Sequence, residues 1–226
     1  ESIAFSALGQ IYVMPRSGGP PTPLNISQTP QFHPSWSADG SRLLSVGWTN
    51  EQGGHVWETD VTTGTARRLT SGHAFYTHPV YAPNSDVLVI RSRTEDRNAS
   101  YLEFGQFRDA ELVRLSDDGE PVVEATGMMG GKPHFLESGA VLLNRPDGVY
   151  RLDDETSIAS VSGPNWYFAE GPAPVDDIKV SPDGQWALAK IAQQLHLVAL
   201  DQTSGKSASP LPTDLAYAKV TDVGAD

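Results

Sequence analysis

The sequence contains no cysteine in its 226 residues. This absence excludes disulfide bonds, thiolate metal sites and a cysteine nucleophile, and it is compatible with any cellular compartment. The sequence also lacks an apolar run of about 18 residues, which is the minimum for a membrane-spanning helix. Its first residues show neither the basic region nor the apolar region of a signal peptide. We therefore expect no membrane-spanning helix in this sequence.

Basic residues are scarce. The sequence has 16 Lys and Arg residues against 28 Asp and Glu residues, and its formal net charge is −12. Nucleic-acid binding depends on Lys and Arg to neutralise phosphate charge, so this composition argues against a nucleic-acid partner. A net negative charge of this kind keeps a protein soluble, and that role is sufficient to explain it.

Glycine and proline are plentiful, with 21 and 17 residues, which is typical of many short strands and turns. The stretch Phe32–Thr70 shows the pattern best. It predicts four short strands: residues 32–36, 42–48, 55–59 and 66–70. The Asp39-Gly40 dipeptide tolerates the positive φ angle of a tight turn. Four antiparallel strands in about 40 residues are typical of one β-propeller blade.

The same unit recurs along the chain. The turn Trp36–Gly40 matches Tyr81–Ser85, Phe135–Gly139 and Val180–Gly184. We predict an all-β protein, a β-propeller of four-stranded antiparallel blades in a single domain. About five blades are expected, at residues 1–25, 32–70, 77–126, 131–162 and 176–222. The first lacks its own first strand, so we expect a fragment of a longer protein and an open or partial ring.

The first strand of each blade is expected to line the central channel. Side chains alternate along a strand, and one of the two alternating sets is mostly polar. It contains five candidate ligand-binding residues near the channel mouth: His33, His78, Lys132, His134 and Asp177. The set indicates either a site for a small anion, a metal or a peptide end, or only a water-filled channel. Further metal ligands are not identifiable from spacing, so we predict no metal and no cofactor.

No catalytic motif is present. The six histidines form neither His-x-His nor His-Glu-x-x-His, and there is no Gly-x-Ser-x-Gly and no phosphate-binding loop. The paired carboxylates fall mostly in turns, where Asp is favoured for local hydrogen bonds. A propeller lyase or glycosidase would need converging carboxylates, and Asp177 alone is placed for that. We therefore predict no catalytic residue in this chain.

A loop rich in Gly and Pro, Gly163–Val175, brings three aromatic residues together: Trp166, Tyr167 and Phe168. They are candidates for an interaction with a protein or peptide. The alternative is that they pack against their own blade.

The repeat resembles the TolB-type, WD40-like blade that is often called PD40. The matching residues are Trp36–Gly40, Val180–Gly184, Ile3–Phe5, Ile11–Met14 and Arg67–Thr70. They are spread over nearly the whole chain. The resemblance implies the propeller fold and a bacterial protein of the periplasm or the secreted fraction.

A narrower resemblance involves Gly53–Trp57, Arg67–Thr70, Ala74–Tyr81 and Ala218–Asp226. These runs are similar to the propeller that precedes the catalytic domain of large bacterial metal-dependent amidohydrolases. In that family the metal ligands begin with His-x-His in a separate barrel, so no catalytic residue carries over to this chain. The resemblance implies an accessory domain whose partner is a catalytic domain further along the same protein.

Two alternatives remain open. The chain could be a free-standing TolB-like propeller that binds a protein or peptide, or the propeller of a prolyl-oligopeptidase-like peptidase. In each case, unpaired strand edges would favour pairing with another copy of the chain.

Overall fold

The computed structural model describes residues 2–24, 26, 28–95, 106–116, 121–145, 148–161, 177–191, 194–200, 209–211 and 219–222. These residues form nineteen β-strands, which confirms the predicted all-β class. Within them, no helix is both long enough and apolar enough to cross a membrane. The chain divides into two compact units, residues 1–101 with 109–126 and residues 102–108 with 127–226.

The first unit begins with a three-stranded antiparallel sheet, β1-β2-β3. A four-stranded antiparallel sheet, β4-β5-β6-β7, follows. The unit then contains β8, β9, most of β10 and the start of β11, which lie side by side in that order. The strands are β1 (Ser2–Ala7), β2 (Gln10–Pro15), β3 (Thr22–Leu24), β4 (Gln31–Trp36), β5 (Arg42–Thr49), β6 (Gly53–Asp60), β7 (Ala66–Arg68), β8 (Phe75–Tyr81), β9 (Val87–Ser92), β10 (Gln106–Leu115) and β11 (Val122–Phe135).

The second unit repeats this arrangement. The end of β11 pairs with β12, which is followed by β13 and β14, and the short strand β18 joins β14 in parallel. A separate sheet has the order β15-β16-β17-β19. The strands are β12 (Val141–Arg145), β13 (Gly148–Arg151), β14 (Ser157–Val161), β15 (Asp177–Val180), β16 (Trp186–Ile191), β17 (Gln194–Ala199), β18 (Ser209–Leu211) and β19 (Lys219–Asp222). Sets of four strands, each strand beside the next, confirm the predicted blade.

The repeated turn has a physical cause. In Ser37–Gly40, the Ser37 hydroxyl donates to Asp39 Oδ1 at 2.6 Å, and the Ser41 amide donates to the same oxygen at 3.0 Å. These bonds lower the pKa of Asp39 to about 2, the Ser37 bond contributing most. Gly40 has a φ of +71°, which glycine adopts without steric cost. The turn is therefore encoded locally, and Ser181–Gly184 repeats it with the same Ser–Asp bond and the same φ.

Each unit has its own apolar core. In the first unit, the valines and leucines of β5, β9 and β10 pack with β6 and β8, as the cluster Leu44, Val46, Val56, Tyr76, Val87, Val89, Val113 and Leu115. In the second unit, the cluster consists of Leu142, Val149, Ala159, Ile178, Val180, Ala187, Ala189 and Leu200. Burial on both faces of the middle strands explains their nearly continuous apolar sequences.

Candidate functional site

The two histidines predicted at equivalent positions, His33 and His78, lie in contact. Their ring centroids are 4.1 Å apart, and the ring planes are inclined by 49°. His33 lies on β4 and His78 on β8, the first strands of successive four-stranded sets. The two histidines therefore lie on corresponding strands of successive sets, and their rings touch.

Both histidines have a left-handed backbone. Their φ angles are +52° and +51°, and each lies in a β-bulge that interrupts the pairing of its strand. The expected strict alternation of side chains is therefore wrong at these strands, because a bulge inserts an extra residue into one strand of the pair. Strand β15 pairs without any shift of register. A left-handed backbone costs free energy for residues other than glycine. The same conformation recurs at two equivalent histidines, so it is a feature of the repeat and not an irregularity of one strand.

Burial lowers the pKa of His33 below its ordinary value of 6.5. A histidine with a depressed pKa is neutral at pH 7. The pair therefore offers a neutral imidazole at neutral pH, and this disfavours binding of a small anion through a charged His33.

Two further predicted residues, Lys132 and His134, lie in the second unit and make bonds within it. The Val180 amide donates to His134 Nε2 at 2.9 Å, and Lys179 Nζ donates to the carbonyl oxygen of Lys132. Burial, aided by the charge of Lys179, lowers the pKa of His134 to about 3. His134 is thus a hydrogen-bond acceptor that connects β11 to β15.

The remaining predicted residues are only partly described. Asp177 is the first residue of β15, and its backbone pairs with Lys190, but its side chain lies outside the described part of the structure. Trp166, Tyr167 and Phe168 also lie outside the described residues. Their roles stay predictions.

The runs that carry the narrower resemblance meet in the first unit. Gly54 forms a β-bridge with Ala74, and the Ala74 amide donates to the Gly54 carbonyl oxygen at 3.3 Å. A Cβ atom on Gly54 would lie 2.6 Å from the Ala74 carbonyl oxygen. Real Cβ atoms do not approach an oxygen so closely, so glycine is required at this position.

Sequence reasoning missed a buried charge, Glu58 on β6. Its side chain is 8% exposed and accepts hydrogen bonds from Arg67 Nε at 2.6 Å, the Tyr81 hydroxyl at 2.8 Å and Arg42 Nη1 at 3.5 Å. Tyr81 belongs to the next four-stranded set, so Glu58 connects two sets. In the sequence, the only signal for this contact is the alignment of Tyr81 with Trp36. It places a tyrosine hydroxyl, which needs a hydrogen-bond partner, at the aromatic position of the repeat.

Sequence reasoning also missed a cleft of about 560 Å³ in the first unit, beside the ends of β9 and β10. It is lined by several charged side chains and by Tyr76. Within the described residues, no group of three or more His, Asp or Glu side chains is arranged to hold a metal ion.

Comparison with known proteins gives similarity in structure alone. No protein-family model and no curated protein sequence matches the chain. TolB from Acinetobacter baumannii is 14% identical with a TM-score of 0.61, over 90% of this chain and 50% of that one. A gluconolactonase from Xanthomonas campestris is 14% identical with a TM-score of 0.60, over 88% and 68%. An oligogalacturonate lyase in complex with manganese is 15% identical with a TM-score of 0.54, over 85% and 56%.

The chain has a β-propeller fold, and the structures that it matches include proteins with quite different activities, so the fold does not fix the function. More particularly, the fold is of the TolB type, as the repeats predicted. The chain spans half the length of the TolB structure.

Proposed function

We propose that this chain is a non-catalytic propeller domain that serves a larger amidohydrolase-like hydrolase. The TolB-type fold supports the propeller part of this proposal. The association with an amidohydrolase rests on the narrower resemblance, whose runs Gly53–Trp57 and Ala74–Tyr81 are in direct contact.

That contact is the observation that supports the proposal best. Two runs separated by about 20 residues in the sequence form one structural feature, in which Gly54 is required by the carbonyl oxygen of Ala74. A resemblance that covers both sides of one contact is more informative than two unrelated matches, because the two sides constrain each other.

The domain would shape access to the catalytic domain or help to assemble the oligomer. Strand β1 supports the second role, since β2 is its one partner among the described strands. An edge strand with unpaired backbone groups favours pairing with another strand. Assembly through β1 would place an extended segment of a neighbouring copy beside it.

The mass of the natural gene product tests this proposal. Its mass, determined by mass spectrometry and light scattering and compared with the open reading frame, should exceed that of this chain by a whole domain. That further domain should contain His-x-His. A natural product that ends with this propeller would contradict the accessory role.

A second candidate function is a free-standing propeller that binds a protein or peptide. The match to TolB and the contact between His33 and His78 favour it. Capture of a partner that is lost when Trp166 and Tyr167 are both replaced by Ala would support it.

A third group of candidates consists of enzymes. If the longer protein carried a catalytic domain of the α/β-hydrolase type, it would be a prolyl-oligopeptidase-like peptidase instead of an amidohydrolase. The similar structures titled gluconolactonase and oligogalacturonate lyase justify assays of lactone hydrolysis and uronate elimination on the purified chain. Turnover in either assay would overturn the non-catalytic role.

A further inference from the structure

The first strand of the first unit, β1, has an open edge that lacks the usual protection. Its six residues pair with β2 without a bulge, and no described strand lies on its other side. Its sequence, Ser2–Ala7, contains neither a charged residue nor a proline. An unpaired edge is a template for pairing with another chain, and proteins usually prevent such pairing by charge, proline, a bulge or shortness.

The other edge strands of the first unit have such protection. Strands β4 and β8 each contain a β-bulge and a proline, Pro34 or Pro79. Strand β3 is three residues long and contains Pro23, and β7 is three residues long and contains two arginines. Strand β1 is therefore the exception among the described edge strands of this unit. Its open edge is a candidate interaction surface.

The two faces of β1 differ in their surroundings. Ala4 packs against the core cluster that contains Ile11, so its face of the strand is turned towards the neighbouring sheet. Side chains alternate along a strand, so Ile3 and Phe5 lie on the opposite face. Phe5 stacks on Tyr12, its direct partner on β2, with ring centroids 5.6 Å apart. Ile3 is 45% exposed on this face, which leaves apolar surface beside the open edge.

The order of side chains along β1 is self-complementary. The strand has a small polar residue, a large apolar residue, an alanine, a large apolar residue and a small polar residue, which are Ser2, Ile3, Ala4, Phe5 and Ser6. A two-fold axis that pairs two antiparallel copies of one strand is perpendicular to the sheet, so it keeps each face of the strand on its own side. An axis at Ala4 places Ile3 opposite Phe5 of the second copy. The serines at the two ends are then opposite each other as well.

Pairing in this register would cover the exposed apolar surface. Phe5 would lie between Tyr12 of its own copy and Ile3 of the second copy, and directly opposed apolar side chains stabilise antiparallel pairs. Charge does not oppose the contact, because neither β1 nor β2 contains Asp, Glu, Lys or Arg. The chain as a whole has a net charge of −12, which favours repulsion between copies elsewhere on the surface. The edge of β1 is thus a place where two copies can meet.

We propose that two copies of this chain associate through antiparallel pairing of their β1 strands, about a two-fold axis at Ala4. The inference specifies the assembly role proposed above and rests on it. Absence of the dimer would overturn this inference alone, since the mass of the natural gene product tests the accessory role separately.

Analytical ultracentrifugation of the purified chain at increasing concentration tests the association. We expect the wild type to form a dimer, and Ile3→Lys, which places a charge on the edge, to weaken it at least about tenfold. The matched control is Leu8→Lys, because Leu8 is 99% exposed and lies beyond the end of β1. That control should leave the dimer within about twofold. A wild type that is monomeric at every concentration, or equal effects of the two variants, would overturn the proposal.

The register is tested by cross-linking, because the chain has no cysteine of its own. An axis at Ala4 puts the two copies of Ala4 directly opposite each other, with Cα atoms about 4.5–5.5 Å apart, and a disulfide can span this distance. Ala4→Cys should therefore form a covalent dimer under mild oxidation. The two copies of Ser2 would lie about 13 Å apart, so Ser2→Cys should stay monomeric on a non-reducing gel.

Two results of the cross-linking would overturn the proposal. One is equal cross-linking of both cysteine variants, which would show random collision. The other is no cross-linking of Ala4→Cys while circular dichroism shows that this variant is folded.

Discussion

Glu58 is the residue whose replacement tests the packing of the first unit most sharply. It is a buried carboxylate between two four-stranded sets, and Tyr81, Arg67 and Arg42 donate to it. Burial raises the pKa of Glu58, but the bonds from Arg67 and Tyr81, with the charges of both arginines, outweigh burial and leave the pKa below its ordinary value. The carboxylate is therefore charged at neutral pH and stabilises the fold.

The expected effect follows from what each partner loses in Glu58→Ala. The Tyr81 hydroxyl would remain in place without an acceptor, which costs about 1–3 kcal/mol. The side chains of Arg42 and Arg67 are 54% and 55% exposed, so water replaces their partner and each loses at most about 1 kcal/mol. We expect Glu58→Ala to lower the free energy of unfolding by about 2–4 kcal/mol. Glu58→Gln retains an acceptor for Tyr81 and should cost about half as much.

The assay is urea denaturation followed by tryptophan fluorescence at neutral pH. The matched control is Glu155→Gln, because Glu155 makes an ion pair with Arg145 at 3.2 Å but has a side chain that is 75% exposed. That control should change the free energy of unfolding by less than about 0.5 kcal/mol. If Glu58→Ala were no more destabilising than Glu155→Gln, the reasoning about the buried carboxylate would be refuted.

The pH dependence gives an independent check on Glu58. A carboxylate with a lowered pKa in the folded state contributes stability above its unfolded pKa, about 4.5, and loses that contribution as the pH falls through the folded value. The difference in stability between the wild type and Glu58→Gln should therefore be largest at neutral pH and shrink below about pH 4.5. A difference that is constant with pH would contradict the assignment.

Three more substitutions test single features. Gly54→Ala should cost about 1–3 kcal/mol in urea denaturation, because the new Cβ would meet the carbonyl oxygen of Ala74, whereas Gly72→Ala meets open space and should be nearly neutral. Leu8→Asn should raise the free energy of unfolding by about 0.5–1 kcal/mol and with it the thermal midpoint, because Asn tolerates a left-handed backbone better than Leu does. Leu8 is 99% exposed and has a φ of +51°. An unchanged or lower midpoint would contradict this. The wild type should lose stability as the pH falls below 6.5 towards about 3, because protonation of His134 opposes folding. His134→Gln should flatten that loss, and an identical acid profile in the variant would contradict the role of His134.

The repeating elements could be predicted from sequence because they are encoded locally. The Ser–Asp–Gly turns hold themselves together with bonds between near neighbours, so their spacing predicted the strands on either side. The equivalent positions of His33 and His78 are likewise visible in the repeats, whereas the contact between their rings is not. These features need no information about distant residues.

The features that sequence did not predict depend on contacts between repeats. The bulges at His33 and His78 change which face a side chain occupies, and alternation alone cannot place an extra residue. Glu58 looks like an ordinary exposed residue until Tyr81, 23 residues further along, lies against it. The cleft likewise combines side chains from β8, β9 and β10 whose register a sequence does not give.

An assay of metal-dependent amide hydrolysis, run at equal molar concentration on this chain and on the full-length natural product, tests directly whether the propeller is an accessory domain. We predict hydrolysis and bound metal in the full-length product, and neither in this chain. Turnover by this chain on its own would contradict the account, and so would a natural product without any metal-dependent amide hydrolysis.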